Sequence, residues 1–252
     1  MGMLAIHPDA PTAAARLADA LEAELRGAER RRGRVVWALP TGRTVLPLYE
    51  ELLRRHREEG LSFARAVVFH LDELWPTPPG GGFGAFLRER LLGGADFREE
   101  NLHFLEGAAD EAACQAVCSE YEARIRSVGG LGHVVLGIGI NGHLAYNEPG
   151  SSPDSRTRLV RLLPSSRLAA GAMDPAWQDV RHALTLGLGT ILAARRVSVL
   201  ATGEAKAAVV AAALQSRPYA DLPASWLQRH PAVTWYLDEA AAAVVASRPV
   251  SR

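Results

Sequence analysis

Three short segments of this chain place chemistry-bearing side chains directly after apolar, strand-like runs. The first is Leu39-Pro40-Thr41-Gly42-Arg43-Thr44, between the run Val35 to Leu39 and a helical stretch. Backbone N–H groups of such a turn, the helix N-terminus behind it and two threonine hydroxyls can together hold a phosphate. Pro-Thr-Gly is equally a plain strand-to-helix turn, and the segment matches neither a Walker loop nor a dinucleotide fingerprint. The second is Phe69-His70-Leu71-Asp72-Glu73, two adjacent carboxylates at the end of an apolar run. A carboxylate half withdrawn from water has its pKa raised and can work as a proton-transfer base, although an isolated Asp-Glu pair is more often a helix cap or a solvated loop. The third, Leu136 to Ser152, sets Gly137, Gly139 and Gly142 around Asn141, His143 and Glu148. Glycines leave a strand end open to a ligand, and His143 with Glu148 has the residue types of a base and its orienting carboxylate.

These segments need a scaffold that gathers strand ends. Leu17, Leu21 and Leu25 at helical spacing predict a helix over 12–27, and Gly33 breaks the pattern before a buried strand at 35–39. The alternation continues with helices near 46–58, 84–92, 110–126, 187–194, 204–215 and 238–246. Strands are expected near 66–71, 102–105, 133–138, 157–163, 197–201 and 232–237. Such alternation predicts an α/β fold: a three-layer Rossmann-like domain whose mostly parallel sheet is covered by helices on both faces. Ligands of such sheets sit beyond the carboxyl ends of the strands, where all three segments fall. The chain reads as a single domain over 1–252, with an irregular loop from Pro76 to Gly82 and a lid at 165–179, where hydrophobic periodicity lapses.

Composition narrows the partners. The 252 residues are 48% hydrophobic and carry 28 acidic against 28 basic side chains, as in an ordinary globular protein. No nucleic-acid partner is expected, since the one basic cluster, Arg30, Arg31, Arg32 and Arg34, reads as a solvated helix end. No apolar run reaches bilayer length and the start lacks a basic leader, so no membrane partner and a cytoplasmic location are expected. Cys114 and Cys118, four apart without a second pair or a nearby histidine, read as packed thiols on one helix face.

Beyond these physical readings, seven motifs occur in a set order. They are Leu-Pro-Thr-Gly-x-Thr at 39–44, Leu-Asp-Glu at 71–73, Gly-His-x-Ala-x-Asn-Glu-Pro-Gly-Ser-Ser at 142–152, Ser-Arg-Thr-Arg at 155–158, Ala-Leu-Thr-x-Gly at 183–187, Thr-Gly-Glu-x-Lys at 202–206 and Pro-Ala-Ser at 223–225. On them the chain resembles the glucosamine-6-phosphate deaminase/isomerase family, whose superfamily also holds 6-phosphogluconolactonases. The resemblance implies a small-molecule sugar phosphate as partner, no organic cofactor and no metal. It implies that the ring of a 2-amino sugar 6-phosphate opens, that a proton moves from C2 to C1 through an enolamine, and that ammonia leaves. On that pattern Asp72 is the base, His143 assists ring opening and Glu148 holds its tautomer. Thr41, Gly42, Arg43, Thr44, Gly142 and Lys206 hold the substrate.

The sequence departs from the pattern in places. Asn141 stands where an aspartate commonly precedes Gly-His, and an amide cannot take up a proton or neutralise an imidazolium. Ala172 falls where glucosamine enzymes use an arginine for the phosphate, and Arg43 replaces a small residue in the phosphate turn. Arg43 is therefore expected to restore the missing charge from across the pocket. Ser151, Ser152 and Arg158 match an allosteric site between subunits, which admits a homo-oligomer. Val160 in place of a lysine, and an end at Arg252, imply little or no activation. Alternatives are a galactosamine-6-phosphate deaminase/isomerase, suggested by Asn141, Thr185-Leu186-Gly187-Leu188 and Pro223-Ala224-Ser225, a lactone hydrolase using His143, or a non-catalytic sugar-phosphate sensor.

Overall fold

The computed structural model describes residues 2–246, so the chain end at Arg252 lies outside the described residues. Seven short strands form one fully parallel sheet: β1 (Met3–His7), β2 (Val35–Leu39), β3 (Ala66–His70), β5 (Leu102–His103), β6 (His133–Leu136), β9 (Arg196–Ala201) and β10 (Val233–Asp238). Their order across the sheet is β1-β10-β9-β6-β2-β3-β5. Parallel strands covered on both faces need apolar side chains on both, and Ala66 to His70 of β3 are all buried. One face carries α1 (Ala10–Arg30), α2 (Leu46–Glu59) and α3 (Phe83–Arg90), whose Leu17, Leu48 and Leu87 share a core with Trp37 and Val68. The other carries α4 (Glu111–Ser127), α6 (Leu188–Leu192), α7 (Ala207–Gln215) and α8 (Glu239–Ala246). There Cys118, Ile191, Val210 and Ala242 pack with Phe69, Leu136 and Val199. Both cysteines are free, buried thiols of α4, as expected.

Helix starts are set locally. Asp9 accepts a hydrogen bond from the backbone N–H of Thr12, and Asp110 accepts one from that of Ala113, each at 2.8 Å. Such a cap contributes about 1 kcal/mol by satisfying an otherwise orphaned donor.

The three-layer, mostly parallel architecture is as the alternation predicts, with one correction and three additions. The strand expected at 157–163 is shorter, β7 (Arg158–Arg161), and does not join the main sheet. It pairs antiparallel with β8 (His182–Thr185), which pairs in turn with β4 (Asp72–Trp75). Strands β1, β4 and β8 leave little periodic trace: β1 lies at the sheet edge with Met3 and Leu4 exposed, and β4 opens on two carboxylates. The small sheet sits over the carboxyl ends of the main strands, because β4 continues from β3 through Leu71 alone.

The segment 165–179 is more regular than its sequence suggests. It contains most of α5 (Pro164–Gly171) and a 3₁₀ turn at Pro175–Trp177. Ala170 and Trp177 pack with Leu74, Phe83, Tyr146 and Leu162 in a third apolar cluster. The Trp177 ring stands edge-on to Phe83 at 5.0 Å, and its Nε1 donates to the Gly81 carbonyl.

Candidate active site

Beyond the ends of β2, β3, β6 and β9 lies a cavity of about 220 Å³, lined by all three segments picked out above and by α5. That volume falls below the range of about 300–1,000 Å³ of drug-sized sites and suits one small molecule. Thr41, Gly42, Thr44, Asp72, Asn141, His143 and Lys206 line it together. Glu148 stands one layer back, behind His143.

The Asp-Glu pair divides its two sequence readings between its members. Glu73 is a cap: its carboxylate accepts from the backbone N–H groups of Leu74, Phe83 and Gly84, each at 2.8 Å, which fixes the start of α3. Asp72 is the cavity residue. It is only 7% exposed, and among the described residues no hydrogen-bond donor meets its carboxylate. Burial first, and the neighbouring Glu73 second, push its pKa up to about 8. His70 is fully buried without a partner for either ring nitrogen, and that burial holds its pKa at about 3, so it stays uncharged. A carboxylate left short of both water and donors is a base with an appreciable drive to take a proton.

The imidazole of His143 is held from behind. Its Nδ1 lies 3.4 Å from Oε2 of Glu148 and 3.3 Å from Oγ of Ser166 on α5. Burial pulls the Glu148 pKa upward, but hydrogen bonds from His143, Ser166 and Asn141 outweigh it and bring it to about 2. Glu148 is thus a permanent acceptor, and Nδ1 is the nitrogen that donates toward it. Asn141 contributes as a donor: its amide Nδ2 gives a 2.9 Å bond to the same Glu148 oxygen, while its Oδ1 accepts from the His143 backbone N–H. An aspartate at 141 could make only the second of these contacts.

Close approach explains one glycine. A Cβ on Gly139 would lie 2.5 Å from both Cε1 and Nε2 of His143, so the ring rests where a side chain would stand. Ala145 adopts φ 49°, a left-handed conformation that costs a non-glycine residue about 1–2 kcal/mol, and it turns the chain so that Tyr146 stacks on Phe83 at 5.8 Å.

At the opposite wall, Gly42 at φ 130° forms the turn after β2 in a conformation that favours glycine. Lys206 follows β9 in a 3₁₀ turn anchored by Asp238, which accepts twice from the Gly203 N–H. The Lys206 ammonium donates to the Ile138 carbonyl at 2.7 Å, and burial lowers its pKa. It is the only Lys or Arg among the lining residues. Arg43 does not line the cavity: its guanidinium donates to the Ala172 carbonyl at the end of α5. The two positions contrasted in the sequence therefore touch, across the mouth. Gly142 lies behind the wall, with Leu222 occupying the space of a Cβ.

The remaining sequence candidates form a separate group. Arg158 donates to Asn147 at 2.9 Å and to Ser151 at 3.1 Å, and the Ser152 hydroxyl accepts from the Asp154 N–H. None of Ser151, Ser152 and Arg158 lines the cavity. Of the other lining residues, sequence marks Gly139 only as one of the glycines that open the strand end, and it gives no role to Tyr146 in the same loop or to Ser166 in the lid.

The family of glucosamine-6-phosphate isomerases and 6-phosphogluconolactonases matches residues 8–235. A glucosamine-6-phosphate deaminase of Rhodopirellula baltica is 40% identical over 247 residues, covering 96% of each chain. Glucosamine-6-phosphate deaminase 2 of Giardia intestinalis is 43% identical over 216 residues, 84% of this chain and 81% of that one. The solved structure of a monomeric glucosamine-6-phosphate deaminase superposes with a TM-score of 0.90 at 30% identity, covering 96% of this chain and 99% of that one. A 6-phosphogluconolactonase of Trypanosoma brucei shares the fold at a TM-score of 0.76 and 23% identity, covering 96% and 98%. The chain belongs to the glucosamine-6-phosphate isomerase/6-phosphogluconolactonase family.

Proposed function

We propose that this protein is an amino-sugar 6-phosphate deaminase/isomerase converting glucosamine 6-phosphate and water into fructose 6-phosphate and ammonia. The observation that carries the reading is a buried carboxylate without donors, Asp72, sharing one small cavity with the imidazole of His143 and the ammonium of Lys206. Glu148 keeps the proton on Nδ1, which leaves Nε2 of His143 to assist opening of the sugar ring. Asp72 then takes the C2 proton of the open-chain amino aldehyde, giving an enolamine, and returns it to C1. Water hydrolyses the resulting ketimine, so the C2–N bond breaks and ammonia departs. Lys206, with the backbone and hydroxyls of Thr41 to Thr44, holds the phosphate, and Arg43 joins them by leaving the Ala172 carbonyl.

In this reading residues 165–179 act as a lid within one domain over 1–252, and the protein works in the cytoplasm. No helix among the described residues is long and apolar enough to cross a membrane. Arg158 is engaged by Asn147 and Ser151, which supports an enzyme with little response to an activating sugar phosphate, whether or not it forms a homo-oligomer.

The test is incubation with a panel of hexosamine 6-phosphates while ammonia and ketose phosphate are followed. Equimolar release of both from glucosamine 6-phosphate is expected. Ligand-induced thermal stabilisation without turnover would instead identify a sugar-phosphate sensor, and lactone hydrolysis that survives Asp72→Asn would identify a lactonase.

A further inference from the structure

The lid helix reaches the imidazole through a hydroxyl that the reaction scheme does not use. Ser166, in the first turn of α5, is 2% exposed, and its Oγ lies 3.3 Å from Nδ1 of His143. The same hydroxyl is among the groups that stabilise the Glu148 carboxylate. One residue before α5, the Leu163 N–H donates to the other Glu148 oxygen at 3.2 Å. The N-cap of α5 is thus bonded to Glu148 and its first turn to His143.

Hydrogen-bond arithmetic gives this a direction. Neither contact of Nδ1, 3.4 Å to Glu148 or 3.3 Å to Ser166, reaches the 2.7–3.2 Å of an effective N–H···O bond, so the ring depends on the two acceptors together. A serine hydroxyl both accepts and donates, whereas an ionised carboxylate only accepts. Nδ1–H can therefore donate to Oγ as well as toward Glu148, a second acceptor that fixes the tautomer from the lid side. With Ser166 withdrawn, the 3.4 Å contact to Glu148 is the one polar contact left to Nδ1 among the described residues.

We propose that Ser166 is a positioning residue for His143, a lid-borne hydroxyl that locks the Nδ1–H tautomer and presents Nε2 to the substrate when α5 is seated. The proposal rests on the reading of His143 as the ring-opening group. Its structural half, the bond between Ser166 and the imidazole, can be read without turnover.

The experiment compares the full chain with Ser166→Ala and Ser166→Thr by imidazole ¹⁵N NMR and by steady-state kinetics on glucosamine 6-phosphate, after melting curves establish that each variant is folded. The expected result is a wild-type Nδ1–H tautomer signal for His143 that becomes a tautomer mixture in Ser166→Ala. With it, kcat falls about tenfold at a KM within twofold, the low end of the scale known for partners that orient metal-ligating histidines. Ser166→Thr keeps the hydroxyl and stays within about threefold of wild type. His143 signals unchanged in a folded Ser166→Ala overturn the proposal, as does a rise in KM at unchanged kcat, which would make Ser166 a substrate contact. Turnover that survives His143→Gln would instead remove the ring-opening role of His143 and leave the NMR result to judge the Ser166 bond.

Discussion

Replacing Asp72 by asparagine should abolish turnover and at the same time make the protein more stable, with a gain that depends on pH. The carboxyl titrates near its ordinary value of 3.8 in the unfolded chain and near 8 in the folded one, raised by burial and then by Glu73. Between those values the folded state holds a proton that the unfolded state has already lost. Wild-type stability attributable to this group therefore falls as pH rises through the window, and the penalty is complete above the folded value. A shift from 3.8 to about 8, at about 1.4 kcal/mol per unit, sets a ceiling near 6 kcal/mol. Relaxation and water at the cavity mouth act as a higher effective dielectric and leave roughly 2–4 kcal/mol. In a domain of this size that is about 5–10 °C in Tm. Asparagine keeps the shape and cannot ionise, so it carries no such penalty. Ligand-free melts of both proteins from pH 4 to pH 8.5 should coincide at the acid end and diverge steadily, the variant melting higher. A gap that does not change with pH, or a wild type that is the more stable at pH 8.5, would refute the assignment of an unpaired, desolvated carboxylate to this position.

Four further outcomes are expected. Gly139→Ala drives a Cβ into the His143 ring, and a displacement of about 1 Å should lower kcat roughly 100-fold while the fold survives, as kinetics and a melting curve would show. Asn141→Asp sets a second carboxylate 2.9 Å from the Glu148 oxygen, a repulsion bounded at about 6 kcal/mol before relaxation, so the variant should melt below wild type at pH 8 and recover as acid protonates the pair. Lys206→Met should raise KM for the phosphorylated substrate at least tenfold and Arg43→Gly severalfold; an unchanged KM in the latter would leave Arg43 a tie to the lid and not a phosphate ligand.

The sequence made the central residues legible for a physical reason. Asp72, His143 and Lys206 each follow an apolar run that becomes a parallel strand, and strand ends are where such sheets expose groups to a ligand. The adjacent carboxylates at 72 and 73 are ambiguous in sequence because they part company in the fold: Glu73 caps α3 and Asp72 lines the cavity. What was not legible depends on contacts between distant segments. Strand β4 reads as a polar loop, yet it is held by pairing with β8, where Asp72 stands opposite Thr185. Helix α5 is built from Pro, Ser, Ala and Gly with one Leu and one Arg, too little pattern to announce a helix, and it is seated by Trp177, Phe83 and bonds to Glu148. Ser166 becomes meaningful only once α5 lies over the imidazole. The Arg43 side chain could be predicted to face position 172 but not to spend its donor on the carbonyl there.

The claim on which the account turns is that one carboxylate carries a proton from C2 to C1. Glucosamine 6-phosphate deuterated at C2 tests it most directly, with the ketose product analysed by mass spectrometry and NMR. Part of the label should appear at C1, the rest should wash into solvent, and no label should leave C2 with Asp72→Asn. Deuterium retained at C2 during ammonia release, or transfer that persists without the Asp72 carboxylate, would contradict it.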